Sequence, residues 1–181
     1  MNVASPSPTT AEVDGAPGAE RLEELFAGHQ AELLGTLFCL VGNVEDARDA
    51  LQETFVKCWR RRQSLHEIDN LRAWVFQVAL NTGRDLRKTA WRRRRQPSPE
   101  IEPMLISREP GPASHLEQQE QLQMLRQALG DLRPEEQEVF LLRQNGHLTY
   151  EQIAVAIDIP LGTVKTRMRL ALSKLRAVLA E

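Results

Sequence analysis

The sequence is poor in the residues from which enzymes and secreted proteins build their chemistry. It has two cysteines, four histidines and one tyrosine among 181 residues. Cys39 and Cys58 form no Cys-x-x-Cys pair and stand at apolar helical positions. They read as buried thiols of a reducing compartment, neither a disulfide nor a metal pair. His29, His66, His115 and His147 are scattered along the chain. There is no His-Glu-x-x-His helix, no nucleophile elbow and no phosphate-binding glycine loop, so no enzyme, catalytic residue, metal or cofactor is expected. No apolar run approaches the ~18–20 residues needed to span a bilayer, so no membrane insertion is expected. The first residues, Met1 to Gly18, lack a basic start and an apolar centre and read as a tail, not a secretion signal. Together these absences point to a cytoplasmic protein.

Net positive charge is missing as well. The formal net charge is −2 and the isoelectric point about 6.1, whereas nucleic-acid-binding domains usually lie above ~9. The average hides a strong pattern. Residues 84–95 carry seven bases and one acid, and residues 161–181 carry five bases and one acid. The acids that offset them lie in 1–32, with six acids and one base, in 96–120, with five and one, and in 121–160, with six and three. Two short basic blocks therefore stand in an otherwise neutral or acidic chain.

Proline, serine and glycine cluster from Gln96 to Ser114, including Pro97, Pro99, Pro103, Pro110 and Pro112. Proline at that density cannot continue a helix and reads as a tether. Seven of the nine aromatics precede it and only Phe140 and Tyr150 follow, so the halves are not repeats of each other. Both halves carry helical periodicity and no sustained alternation. Leu33, Leu34, Leu37 and Phe38 form one stripe; Leu51, Phe55, Cys58 and Trp59 a second; Leu71, Trp74, Val75, Val78 and Ala79 a third, after a polar loop over Gln63–Asn70. The expected fold is all-α: two small helical domains joined by a flexible linker. The expected divisions are a disordered tail over 1–20, a helical bundle over 21–95, the linker over 96–117 and a second domain over 118–181.

The second domain is expected to begin with a helix near Leu116 carrying Leu122, Leu125 and Leu129. Pro134 suits the first turn of the next helix, with Glu135 and Glu136 at its positive end. After Asn145-Gly146, the run Thr149-Tyr150-Glu151-Gln152 makes a capping box. A short helix, a break at Asp158–Leu161 and a longer helix with early basic residues form a helix-turn-helix pattern. In that last helix Val164 and Met168 face inward. Gly162, Thr163, Lys165, Thr166, Arg167 and Arg169 are left to approach phosphates and base edges. The basic block after Asn81 suits contact with a nucleic-acid backbone, and Trp74 or Phe76 could stack on an unpaired base, although Trp74 fits the core stripe better.

Asp49-Ala-Leu-Gln-Glu-Thr-Phe-Val-Lys-Cys-Trp59 and Asn70-Leu-Arg-Ala-Trp-Val-Phe-Gln-Val-Ala-Leu-Asn81 resemble region 2 of bacterial sigma-70-family factors. Leu129–Arg143, Tyr150-Glu-Gln-Ile-Ala and Ile159-Pro-Leu-Gly-Thr-Val-Lys-Thr-Arg167 resemble region 4. Two such regions joined by a short linker are similar to the extracytoplasmic-function (ECF) group. The resemblance implies a promoter-specificity subunit of RNA polymerase whose partners are core polymerase, promoter DNA and an anti-sigma factor. It places core-polymerase binding on Asp49, Gln52, Glu53, Phe55 and Trp59. It places −10 element recognition on Ser64, Asn70, Asn81, Arg84, Arg87 and Lys88, with a base flipped into a pocket at a cost of a few kcal/mol. The helix from Gly162 would read the −35 element. Gly83 departs from the family pattern, costing ~1 kcal/mol of helix propensity relative to Ala and loosening the −10 reader. The loop Gln63–Asn70 and the run Arg169-Leu-Ala-Leu-Ser also depart from it. A stand-alone helix-turn-helix regulator with an N-terminal sensor domain is the alternative.

Overall fold

The computed structural model describes residues 17–94, 124 and 127–179, with side chains over 18–89, 124 and 127–178. The tail over 1–16, the linker over 96–117 and the start of the helix near Leu116 lie outside the described residues. Among the described residues all regular structure is helical, as the periodicity predicts. The first half comprises α1 (Pro17–Gly28), α2 (Gln30–Val41), α3 (Val44–Arg60), a 3₁₀ segment (Arg62–Glu67) and α4 (Leu71–Arg94). The second comprises a helical stretch at 127–130, then α5 (Pro134–Gln144), α6 (Tyr150–Ala156) and α7 (Leu161–Leu179).

Local chemistry sets the helix boundaries. α2 closes on Gly42, whose φ of 88° is left-handed and whose N–H donates to Phe38 O at 2.9 Å. Asn43 then starts α3: its Oδ1 accepts the Asp46 N–H at 2.8 Å. Asn70 starts α4 in the same way, accepting the Ala73 N–H at 3.0 Å. The segment expected to be a polar loop is thus mostly a 3₁₀ turn. It closes on buried Leu65, an apolar anchor too isolated to register as periodicity.

The core of the first half is built from Leu22, Leu33, Leu37, Cys58, Val75, Phe76 and Leu80. Phe76 is wholly buried, so it cannot stack on an unpaired base; Trp74 is half-buried against the same core. Val139, Leu142, Leu148, Ile153, Val164 and Met168 belong to that same apolar cluster. The two halves therefore pack against each other as well as being joined in sequence. A smaller cluster of Ala128, Leu129, Leu132, Ala171 and Leu175 lies beneath α7, with Cys39 of α2 packed against it.

Gly83 has a different role from the one its helix propensity suggests. A Cβ there would come within 2.7 Å of Leu40 Cδ1 and 3.2 Å of Leu40 Cβ. The absent side chain lets α4 lie close on α2, so the residue tightens the bundle. Gly83→Ala should gain ~1 kcal/mol in propensity and lose about 1–3 kcal/mol to overpacking. The expected net result is a lower midpoint in chemical denaturation, whereas a gain in stability would show that Leu40 yields without cost.

Candidate functional site

The second half carries the helix-turn-helix. Thr149 Oγ1 accepts the Gln152 N–H at 3.2 Å, and Gln152 Oε1 accepts the Thr149 N–H at 2.9 Å, forming the capping box expected from the sequence. α6 ends in a left-handed Asp158 (φ 52°), with Ile159 N–H donating to Ala154 O at 3.0 Å and Asp158 N–H to Val155 O at 3.4 Å. That 6→1 and 5→2 pair is a Schellman closure with Asp in the position usually held by Gly. It redirects the chain sharply into α7, whose first turn is anchored on the Pro160 carbonyl through Thr163 N–H (2.9 Å) and Val164 N–H (3.2 Å).

Val164, Met168, Ala171 and Leu175 are buried along one side of α7. The opposite side presents exposed Gly162, Lys165, Thr166 and Arg169, with Thr163 and Arg167 half-buried at its edges. The Thr166 hydroxyl donates to Gly162 O at 2.9 Å, leaving its oxygen lone pairs outward. Lys165, Arg169 and Arg176, together with Tyr150 of α6, line an open groove of about 470 Å³. The Arg143 guanidinium stacks over the Tyr150 ring at 5.5 Å from its centroid. Cations and one aromatic face thus gather on the outer surface of the helix pair.

α7 is held in place by a polar contact with α5. Glu136 Oε2 accepts from Lys174 Nζ at 2.7 Å and from the Arg133 N–H at 3.2 Å, although its side chain is almost wholly buried. Burial opposes ionisation of this carboxyl. The Lys174 hydrogen bond, the Arg133 N–H and the two nearby positive charges outweigh it and hold the group below the usual carboxylate range.

In the first half, Asp49, Gln52, Glu53 and Val56 form an exposed row along α3. Glu53 pairs with Lys57 at 2.9 Å, and Lys57 reaches buried Thr82 Oγ1 on α4 at 3.1 Å. Phe55 and Trp59 are half-buried in an aromatic stack. Phe26 meets Phe55 edge-on at 5.0 Å, Phe55 lies over Trp59 at 5.6 Å, and Arg62 covers Trp59 at 5.1 Å. Val56 escaped the sequence reading because its position falls off the apolar stripe; the structure leaves it exposed among carboxylates. On α4, Asn81 and Lys88 are exposed and Arg84 and Arg87 half-buried. Ser64 and Asn70 are tied locally, Ser64 Oγ to Arg61 O at 3.2 Å and Asn70 as the cap of α4. Arg84 is already engaged: its guanidinium forms a two-pronged ion pair with Glu138 of α5 and also donates to Asn81 Oδ1 at 3.2 Å.

Burial pushes the Cys58 thiol up to about 12, so it stays protonated and inert at neutral pH. No helix among the described residues is long and apolar enough to cross a membrane.

A capped helix-turn-helix with a cationic outer face, set against a second helical bundle, defines a DNA-binding transcription protein. Residues 25–93 match the family described as "Sigma-70 region 2" and residues 122–175 match "Sigma-70, region 4". The chain belongs to the sigma-70 family and is an RNA polymerase sigma factor of the extracytoplasmic-function group. It is 33% identical to the ECF sigma factor RpoE of Cereibacter sphaeroides over 158 residues, covering 84% of this chain and 83% of that one. It is 28% identical to the ECF sigma factor SigE of Mycolicibacterium smegmatis over 159 residues, 88% of this chain, and spans 62% of that relative's length. In fold it is similar to the sigma factor RpoE from Bartonella quintana, solved in complex with the anti-sigma factor NepR. There the TM-score is 0.70 at 23% identity, covering 89% of this chain and 98% of that one. Sigma factors are transcription initiation factors, generally non-enzymatic, and membership of the family disfavours the stand-alone regulator.

The Glu136 anchor has a pH signature. Its carboxyl is depressed in the folded state, so its stabilising contribution is complete above the unfolded carboxylate range and is lost as pH falls through the folded value. Thermal midpoints should therefore drop on acidification, and Glu136→Gln should flatten that dependence while lowering the midpoint at pH 7. An unchanged pH profile in the variant would remove Glu136 from this role.

Proposed function

We propose that the chain directs transcription initiation through three surfaces and has no catalytic step of its own. The row of Lys165, Thr166 and Arg169, with Gly162, Thr163 and Arg167 beside it, enters the major groove of the −35 element. Arg or Lys at such positions can donate to guanine edges, and the glycine and threonines permit close approach to phosphates. Asn81, Arg84, Arg87 and Lys88 on α4, with Ser64 and Asn70 just before it, engage the −10 element, where flexible phosphates and an unstacked base are the targets. The exposed α3 row of Asp49, Gln52, Glu53 and Val56, backed by the Phe55–Trp59 stack, docks on core polymerase. A carboxylate row around one exposed aliphatic suits a protein partner better than DNA, which would repel it. The exposed cation row on a helix-turn-helix, in a chain otherwise net acidic, carries this reading.

The domain limits we assign are 1–20 for the tail, 21–95 for region 2, 96–117 for the linker and 118–181 for region 4. A protein that works on promoters acts where the chromosome is, so we place it in the cytoplasm. We also infer an anti-sigma partner; the likeness to a sigma factor solved with one supports this.

Addition of the purified chain to core polymerase should start transcription from a cognate promoter, and failure to bind core polymerase would overturn the proposal. Asp49→Ala with Glu53→Ala should weaken core binding by about tenfold while changing stability little, because an exposed Glu–Lys helix pair contributes only about 0.3–0.5 kcal/mol. A large loss of stability instead would make the α3 row structural. Lys165→Ala and Arg169→Ala should each reduce −35-dependent transcription by an amount equivalent to about 1–3 kcal/mol. Neither change should shift the melting temperature.

A further inference from the structure

The groove between α6 and α7 has a chemical character that reading of the −35 element leaves unused. One side of it is a straight cationic stripe. Lys165, Arg169 and Arg176 fall within about 40° of one another around α7 and run ~16 Å along it. The floor is apolar, made by Met168 and Leu172 of α7 with the half-buried ring of Tyr150. No carboxylate lines the groove. Among the described residues none lies within ion-pair distance of these three cations, whereas Lys57, Arg84 and Lys174 are each met by a glutamate. The Tyr150 ring is fixed in place, because the Arg143 guanidinium that covers it also donates to Leu148 O at 2.8 Å.

We propose that this groove binds a nucleoside di- or triphosphate, its base on Tyr150, Met168 and Leu172 and its phosphates along Lys165, Arg169 and Arg176. Duplex DNA does not account for the whole groove. Base readout draws on the first turns of a recognition helix, and Arg176 stands about 22 Å beyond the start of α7. A phosphate backbone has no use for an apolar floor, and an acyl anion has no use for three cations. A planar base joined to a short phosphate chain uses both. Stacking tolerates any base, so the site selects a chemical class and not one nucleotide. Its volume of about 470 Å³ lies within the range of small-molecule sites. A bound nucleotide covers Lys165 and Arg169 and therefore competes with the −35 element. That consequence rests on the assignment of these two residues to DNA; the site itself does not.

Tyr150 is the sole tyrosine of the chain, so its ring resonances report on the groove without ambiguity. Titrating the full-length chain with ATP should shift those resonances to saturation. Tripolyphosphate, which lacks the base, should bind about tenfold more weakly, the factor that one base–aromatic stack contributes. Adenosine, which lacks the phosphates, should bind more weakly still. Arg176→Gln changes an exposed side chain and should weaken ATP about tenfold through loss of a charge-assisted hydrogen bond. Unmoved Tyr150 resonances would overturn the proposal, as would tripolyphosphate binding as tightly as ATP or an affinity that Arg176→Gln leaves unchanged. A response to duplex DNA alone would likewise reduce the groove to a backbone contact. In the holoenzyme, ATP should lower retention of a promoter fragment carrying the −35 element. Arg176→Gln should relieve that effect, which separates it from nucleotide binding by core polymerase. If ATP moves Tyr150 and promoter retention does not change, the site stands and it is the assignment of Lys165 and Arg169 to the −35 element that fails.

Discussion

Helix α2 is the constraint on which the arrangement depends. Among its twelve residues Glu32 is the only charged one, and apolar side chains stand on every side of it. A helix apolar all round has to be covered on more than one face. Leu33, Leu37 and Leu40 belong to the core that includes α3 and α4. Thr36 and the Cys39 carbonyl face the second half, where Asn145 and Gln137 satisfy them. Leaving that second face open would expose its apolar surface to water, and covering it without Asn145 and Gln137 would bury Thr36 Oγ1 and the Cys39 carbonyl with fewer partners. The second half closes over α2 for the same reason that α4 does, and Gly83 lets α4 approach closely enough to share the load.

Features decided within one helical turn were legible in the sequence. The Thr149 capping box, the inward stripe of Val164 and Met168, and the position of Glu136 in the first turn of α5 follow from spacings of three and four residues, and the structure has all of them. Features decided by long-range approach were not. Arg84 and Glu138 are 54 residues apart, and Thr36 and Asn145 are 109 apart. Neither side of either pair has a local pattern that names its partner. Gly83 shows the same limit from the other side. Propensity sees only the missing methyl group, whereas the nearby Leu40 explains it. Phe76 looked available for stacking because aromatics near a basic block suit unpaired bases; its complete burial is a tertiary fact that periodicity could not separate from the half-buried Trp74 two residues earlier.

The charge pattern acquires a finer meaning in three dimensions. Segment sums identify two basic blocks but do not say which acids answer them. The acid that meets Arg84 comes from α5, and the acid that meets Lys174 is its neighbour Glu136, two residues away on the same helix. Both carboxylates are buried, while Asp49 and Glu53 remain exposed. Among the described residues, buried Glu136 and Glu138 are committed to cations of other helices, whereas exposed Glu53 is paired only with Lys57 one turn along its own helix.

That division bears on how a chain with so little net charge selects DNA. Affinity for a polyanion grows with the number of cations available to replace counterions, and it is indifferent to sequence. A permanently exposed set of arginines would bind any duplex and dilute the protein over the whole chromosome. Pairing Arg84 with buried Glu138 of α5 takes one cation out of that number. Lys165, Arg169 and Arg176 are exposed on α7, a small set beside the roughly 6–10 phosphate contacts of a strongly salt-dependent binder. Strong binding by phosphate contacts alone is thereby disfavoured, and selection falls to contacts that read base edges.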